Sequence, residues 1–108
     1  MPCATVVPLT TDMDVRRAIQ TSPNLVVIDF YAHWCWPCKV LAPVMGALAA
    51  RHPTVDVYKV DVDQLSAIAD QLSVTSLPTI LLFKAGIEVA RIVGADKTVI
   101  EAAVVANK

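Results

Sequence analysis

Hydrophobic residues recur with different periods in different segments of this 108-residue chain. Residues 25–31 (LVVIDFY) form a nearly continuous apolar and β-branched run, which is typical of a central strand covered on both faces. Residues 55–63 alternate between apolar and polar, as a strand does, whereas residues 39–51 carry apolar side chains at helical spacing. The pattern predicts, in chain order, a weak first strand, a helix over 12–21, a strand over 25–31, a helix over 39–51, a strand over 55–63, a helix over 64–72, two strands within 79–94 and a helix over 96–108.

Two features of this order predict the architecture. Strands alternate with helices along most of the chain, so crossover connections should build parallel strand pairs. A hairpin with a tight turn at Ala85-Gly86 then adds an antiparallel pair. We therefore expect an α/β protein with a central mixed sheet and helices on both faces, in which Pro43 kinks the helix that contains it.

Composition and charge narrow the function classes. Hydrophobic residues make up 56% of the chain and charged residues 18%, which suits one well-filled core in a single domain spanning residues 1–108. A net charge of −1 with mixed signs offers no basic patch, so we expect no nucleic-acid partner. The apolar runs are shorter than the ~18 residues of a membrane span, and the amino end does not resemble a signal peptide. We expect a cytoplasmic monomer with no membrane partner.

The segment HWCWPCK, residues 33–39, carries the candidate chemistry. It follows the central strand and precedes the helical stripe, which places Cys35 at a helix N-terminus and Cys38 one turn inside. A helix N-terminus stabilises negative charge and lowers the pKa of a thiol there from about 8.5, so Cys35 is a candidate nucleophile. The spacing also brings the two sulfurs close enough for reversible disulfide exchange. Pro37 fits the first helical turn, where a missing N–H costs little.

Two other interpretations of Cys35 and Cys38 stay open from the residues alone. A tetrahedral zinc site needs four ligands, and Cys3, His33 and His52 are scattered without the spacing of a ligand pair, so we predict no metal. A pair of buried, inert thiols is the second alternative, because free cysteine is often a core residue. The flanking tryptophans and proline disfavour burial of both.

Four segments resemble the thioredoxin family in their order and spacing: 29–43 (DFYAHWCWPCKVLAP), 59–63 (KVDVD), 76–79 (SLPT) and 93–95 (VGA). The first looks like the family's strand, its WCxPC site and the kinked helix that follows. The resemblance implies a thioredoxin fold, with a central five-stranded sheet flanked by four helices. It also implies a protein disulfide reductase that passes electrons from a thioredoxin reductase to disulfide-containing protein substrates. We expect no cofactor.

The resemblance assigns roles to the buried part of the site. Cys35 would be the exposed attacking thiol and Cys38 the buried resolving thiol, and together they would form the redox-active disulfide. Asp29 would accept the proton of Cys38, a role that suits a carboxyl whose pKa is raised by burial. Independently of the resemblance, a lone carboxylate in an apolar run needs a partner or a proton, and Lys59 on the neighbouring strand is the candidate partner. Simple charge satisfaction is the alternative explanation of this pair.

The resemblance also implies a surface around the cysteines that binds the partner protein. Pro78 matches the family's cis-proline and would hold Leu77 so that its backbone pairs with an extended substrate segment. Gly94 and Ala95 match small residues that let a partner approach closely, with a plain turn as the alternative. Trp34 matches a tryptophan that shields the site and contacts partners, with an ordinary core aromatic as the alternative.

Position 36 departs from the family pattern. Trp36 stands where glycine is usual, and a large ring at a helix tip indicates a partner contact or a cover over the sulfurs. Pro37, which we also assign to the partner-binding surface, occupies the position where isomerases and oxidases of the same fold commonly carry histidine, so a reductant is favoured. The alternative functions are a thiol oxidase or isomerase, and a binding module that holds partners on the same surface without turnover.

Overall fold

The computed structural model describes residues 6–108, and its five strands form one mixed sheet in the order β1-β3-β2-β4-β5. The strands are β1 (Val7–Pro8), β2 (Val26–Tyr31), β3 (Asp56–Asp61), β4 (Thr79–Lys84) and β5 (Ile87–Val93). The helices are α1 (Asp12–Thr21), α2 (Trp36–Arg51), α3 (Ser66–Gln71) and α4 (Lys97–Asn107). The predicted α/β architecture, with a mixed five-stranded sheet and four helices, is confirmed. Cys3 lies outside the described residues.

The central strand β2 organises the sheet. It pairs in parallel with β3 and antiparallel with β4, while β1 pairs in parallel with β3 and β5 antiparallel with β4. Every residue of β2 except the last is buried, as its near-continuous apolar run predicts. The turn between β4 and β5 places Ala85 (φ 53°) and Gly86 (φ 80°) in the left-handed region, which is the geometry of a two-residue hairpin.

Helices cover both faces of the sheet. Because successive side chains of a strand point to opposite faces, Val27 and Ile28 of β2 enter different cores. Val27 packs in a cluster with residues of α2 and α4, including Leu41 and Ile100. Ile28 packs in a second cluster with residues of α1 and α3. None of the helices in the described part of the chain is both long and apolar enough to cross a membrane.

Helix α2 positions the candidate chemistry just beyond the carboxyl end of β2. It begins at Trp36, before the apolar stripe starts, because Cys35 caps it and Pro37 fits its first turn. It then runs through Pro43, which lies inside the helix, and packs its buried side against the sheet. The start of α2 is therefore held in place by the core below it.

Leu41→Ala should lower the free energy of unfolding by about 2–5 kcal/mol, because Leu41 is 1% exposed and its truncation leaves a cavity under α2. The neighbouring Val40 is 52% exposed, so Val40→Ala should change this free energy by less than about 0.5 kcal/mol. Urea unfolding of the two variants measures both values. Equal losses would show that α2 packs a different face against the sheet.

Candidate active site

A disulfide joins Cys35 to Cys38 at the start of α2. Cys35 is the N-cap of the helix: its backbone is extended (φ −89°, ψ 108°), and its Sγ accepts a 3.3 Å hydrogen bond from the Cys38 N–H. The sulfur thus occupies the place of a serine or aspartate oxygen at an ordinary N-cap. After reduction, the same amide and the helix dipole favour negative charge on the Cys35 sulfur. The predicted position of the pair at a helix N-terminus is confirmed.

Both cysteines are enclosed by the protein. Cys35 is 5% exposed and Cys38 is 3% exposed, since Val62 and Leu77 pack against them. In the disulfide form, the expectations that Cys35 is exposed and that at least one cysteine escapes burial are therefore wrong. The two cysteines nevertheless border different spaces. Cys35 lines an open groove of about 470 Å³, whereas Cys38 lines a separate cavity of about 220 Å³ that also reaches Asp29.

The groove beside Cys35 is mostly apolar and includes two exposed tryptophans. Trp34 is 71% exposed and Trp36 is 73% exposed, so neither ring is a core aromatic. The Trp34 Nε1 donates a 2.8 Å hydrogen bond to Asp63 Oδ2, which holds this ring at the surface. The other lining residues are Pro37, Val62, Val74, Thr75 and Leu77. Both rings therefore offer apolar area to a partner next to Cys35.

The chain that carries Leu77 into the groove is fixed at Pro78. The Leu77–Pro78 peptide bond is cis, as the resemblance implies. Pro78 is buried, and its carbonyl oxygen accepts a 2.9 Å hydrogen bond from the Gly94 N–H. Gly94 has a φ of 109°, a conformation that suits glycine. Ala95 is exposed and does not line the groove. The structure therefore brings Gly94 into contact with Pro78 but does not bring Ala95 there.

Asp29 is a buried acid that lines the same cavity as Cys38. Its side chain lies in β2 with the residue 4% exposed, and its Oδ1 has no hydrogen-bond partner among residues 6–108. Burial raises the pKa of Asp29 to about 7, and attraction to Lys59 offsets only part of this effect. The carboxyl therefore exchanges its proton near neutral pH.

Lys59 stands opposite Asp29 in the parallel register of β2 and β3. Both residues line the cavity that Cys38 borders. No ion pair joins them within the described part of the chain, and the Lys59 Nζ lies 5.8 Å from the centre of the Tyr31 ring. Lys59 therefore interacts with Asp29 only by electrostatic attraction at a distance. A proton on the Asp29 carboxyl, rather than a direct ion pair, satisfies this buried group.

The sequence pattern assigns no role to Asp61 and Asp63, yet both contact residues of the site. Asp61 Oδ2 lies 3.2 Å from His33 Nε2, and Asp63 holds Trp34. Because the parallel strands β2 and β3 end at the same edge of the sheet, residues just after β3 lie near residues just after β2. That topological rule is the signal that identifies these acids. Across residues 6–108, no three His, Cys, Asp or Glu side chains are grouped so as to hold a metal ion.

Comparison with known proteins agrees with this geometry. The family model described as Thioredoxin matches residues 6–106. The chain belongs to the thioredoxin family. It is 49% identical to thioredoxin-1 of Saccharomyces cerevisiae over 84 residues, which make up 78% of this chain and 82% of the yeast protein. It is 57% identical to the thioredoxin of Chlamydia trachomatis over 71 residues, which make up 66% of this chain and 70% of that protein.

Solved thioredoxin structures share the fold along the whole chain or nearly so. Thioredoxin NaTrxh from Nicotiana alata has a TM-score of 0.93 at 35% identity and covers 100% of this chain and 96% of its own. Malassezia sympodialis thioredoxin has a TM-score of 0.92 at 33% identity and covers 99% of this chain and 94% of its own. The thioredoxin fold is confirmed. This thioredoxin-family chain is a disulfide oxidoreductase, its redox pair is Cys35 and Cys38, and the two alternative functions are not favoured.

Asp29→Asn should stabilise the oxidised protein at pH 8 and have little effect on its stability below pH 4. The pKa of Asp29 rises from 3.8 to about 7 on folding. The contribution of this group to the free energy of unfolding is therefore greatest below pH 3.8 and is lost as the pH rises to about 7. At about 1.4 kcal/mol per pH unit, the loss reaches at most about 4 kcal/mol, and asparagine abolishes it. Denaturant unfolding of both proteins across this pH range measures the difference.

The matched control for this prediction is Asp70→Asn, which changes an exposed carboxyl on α3. This variant should keep the pH dependence of the parent. Parallel stability curves for Asp29→Asn and the parent would contradict the assignment of a raised pKa to Asp29.

Proposed function

We propose that this thioredoxin-family enzyme reduces protein disulfides, with Cys35 as the attacking thiol and Cys38 as the resolving thiol. One observation carries the assignment: Cys35 borders the groove with the two exposed tryptophans, and Cys38 borders a separate cavity that Asp29 also lines. A protein substrate approaches through the groove, so its first bond to the enzyme forms at Cys35. The proton acceptor lies on the other side of the pair, where the resolving thiol needs it.

The reaction proceeds in two exchange steps. In the first, the Cys35 thiolate attacks one sulfur of the substrate disulfide, a mixed disulfide forms, and the second substrate sulfur leaves as a thiolate that takes up a proton. In the second, Cys38 gives its proton to Asp29 and attacks the Cys35 sulfur. The Cys35–Cys38 bond forms, the mixed disulfide breaks, and the substrate sulfur that was bound to Cys35 leaves as a thiolate that takes up a proton from solvent, so the substrate becomes a dithiol. Two electrons pass from the enzyme to the substrate.

The surroundings of Asp29 support its role as the proton acceptor. A pKa of about 7 matches proton transfer at neutral pH. The carboxyl borders the same cavity as Cys38, and its Oδ1 is unpartnered among the described residues. Attraction to Lys59 keeps the pKa from rising further, so part of the carboxyl is ionised and ready to accept a proton. We assign proton transfer to Asp29 and tuning of its pKa to Lys59.

The groove is proposed to hold an extended segment of the partner protein. Within residues 6–108 the backbone of Leu77 makes no hydrogen bond, which leaves its N–H and C=O for a strand-like pairing with that segment. Pro78 fixes the direction of this backbone. Gly94, whose N–H bonds to the Pro78 carbonyl, leaves space for the partner beside it because it carries no side chain. Recognition of the partner backbone explains how one site accepts many sequences.

The rest of the partner contact is proposed to be apolar. Trp34, Trp36 and Pro37 form the edge of the groove on the side of α2. Aromatic rings contribute large contact areas with little loss of side-chain entropy. Trp36, which replaces the family's usual glycine, extends this edge and is proposed to select partners with apolar residues next to the reactive disulfide.

The direction of electron flow is proposed to be reductive. Pro37 leaves the site without the histidine that commonly precedes the second cysteine in oxidases and isomerases of this fold. Electrons then reach the disulfide from a thioredoxin reductase, and the reduced enzyme passes them on to protein substrates. We place the enzyme in the cytoplasm, where thiols are kept reduced, as a monomer with a single domain over residues 1–108.

Cys38→Ser should accumulate a mixed disulfide between Cys35 and a protein substrate, because the attacking sulfur remains while the resolving sulfur is gone. The reduced variant is incubated with a disulfide-bonded protein such as insulin, and adducts are mapped by mass spectrometry. Cys35→Ser is the matched control and should form few adducts. Equal trapping at Cys38 in that control would sink the assignment of roles, and absence of insulin reduction by the parent with a thioredoxin reductase would sink the proposed function.

Trp36→Gly should raise the KM for a protein disulfide roughly tenfold, since the contact of one aromatic ring contributes on the order of 1–2 kcal/mol. The rate with a small soluble disulfide should stay unchanged, because that substrate does not need the groove edge. Val40→Ala, which alters an exposed apolar residue of α2 that does not line the groove, is the control. An unchanged KM for protein substrates in Trp36→Gly would show that this ring makes no partner contact.

A further inference from the structure

One loop supplies a wall of the groove. We name residues 72–78, which connect α3 to β4, the groove loop. It contributes Val74, Thr75 and Leu77 to the groove lining and contains no helix or strand. Its attachment to the rest of the molecule therefore decides where a bound partner segment lies.

The groove loop begins at an unusual helix end. The Ser73 N–H donates a 3.0 Å hydrogen bond to the Asp70 carbonyl, and the Val74 N–H donates one of 2.9 Å to the Ala69 carbonyl, which is the pattern of a Schellman motif. Glycine usually occupies the left-handed position of this motif, but here Ser73 takes it with a φ of 58°. The carbonyls of Leu72 and Ser73 then lie beyond the helix and need donors from elsewhere.

Arg91 of β5 supplies those donors. Its Nη1 donates a 3.0 Å hydrogen bond to the Ser73 carbonyl, and its Nη2 donates one of 2.8 Å to the Leu72 carbonyl. Glu88 orients the same guanidinium, because its carboxylate accepts from Nε at 2.9 Å and from Nη2 at 2.8 Å. The planar, five-donor fork of arginine makes these contacts together, and the three-donor ammonium of lysine does not have that geometry.

The far end of the groove loop is held from the end of β5 as well. The Gly94 N–H donates to the Pro78 carbonyl at 2.9 Å, and the Thr79 hydroxyl donates to the Ser76 carbonyl at 2.6 Å. One short stretch, from Arg91 to Gly94, thus fastens both ends of the loop. Neither Arg91 nor Glu88 lines the groove.

We infer that Arg91, oriented by Glu88, is a positioning residue that sets the groove loop for the binding of protein substrates. The inference rests on the proposed function, since the loop position matters only when a protein segment enters the groove. Arg91 acts through the carbonyls of Leu72 and Ser73 on the backbone that leads to Leu77. A small disulfide needs only the two cysteines, whereas an extended segment must also pair with the loop. Arg91 therefore affects substrate capture and leaves the thiol chemistry unchanged.

The test compares Arg91→Gln, Arg91→Lys and Arg16→Gln with the parent enzyme. Arg16 is a matched control, because its Nη2 donates a 2.6 Å hydrogen bond to Gln71 Oε1 at the end of α3 and none to the carbonyls of the groove loop. The kcat and KM are measured with insulin as the protein substrate, and the rate constant is measured with a small aromatic disulfide. Hydrogen exchange of the Ser73 and Val74 amides is followed on the same four proteins.

Arg91→Gln should raise the KM for insulin about tenfold, because the two hydrogen bonds from the guanidinium to the Leu72 and Ser73 carbonyls are lost, while kcat and the small-disulfide rate stay within about twofold. The hydrogen-bonded amides of Ser73 and Val74 should exchange faster in this variant and not in Arg16→Gln. Arg91→Lys should recover part of the KM, since it keeps the charge and replaces only some of the contacts.

An unchanged KM together with unchanged exchange in Arg91→Gln overturns the inference. An equal loss of rate with insulin and with the small disulfide also overturns it, because that result indicates general damage to the fold. Failure of the parent itself to reduce insulin counts against the proposed function instead. In that case the exchange of the Ser73 and Val74 amides still decides whether Arg91 holds the loop.

Discussion

The packing of α2 onto the sheet just past the end of β2 is the constraint on which the site depends. The chain leaves a fully covered strand and enters a helix at Trp36, so Cys35 falls at the N-cap and Cys38 in the first turn. Because α2 is anchored in the core by residues such as Leu41, its first turn cannot rotate freely. One cysteine is thereby fixed at the groove and the other at the cavity, and the proposed difference in the roles of the two thiols rests on this separation.

The buried carboxyl of Asp29 lowers the free energy of unfolding of the folded protein at neutral and higher pH. Ionising its buried carboxyl costs up to about 4 kcal/mol above neutral pH, a large share of the roughly 5–15 kcal/mol that stabilises a typical domain. A destabilising acid that lines the same cavity as Cys38 fits the proposed role of proton acceptor better than a structural role.

The strands and helices can be predicted from the sequence because hydrophobic spacing is a local property. The cis peptide bond before Pro78 can be predicted only from the resemblance to the family. The burial of Cys35 was not foreseen, since it depends on Leu77, which comes from a distant segment. The separation of the Lys59 ammonium from Asp29 depends on how a long side chain passes Tyr31, which no pattern encodes. The contacts of Arg91 join positions 18 and 19 residues apart and have no sequence signature.

The central claim is that the two sulfurs differ in their access to reagents from the groove. Alkylation of the reduced, native protein with limiting iodoacetamide at neutral pH tests it most directly, because peptide mapping reports on each cysteine separately. We predict that Cys35 is modified while Cys38 stays protected, and that denaturant abolishes the difference. Modification of Cys38 at an equal or greater rate in the native protein would contradict the account.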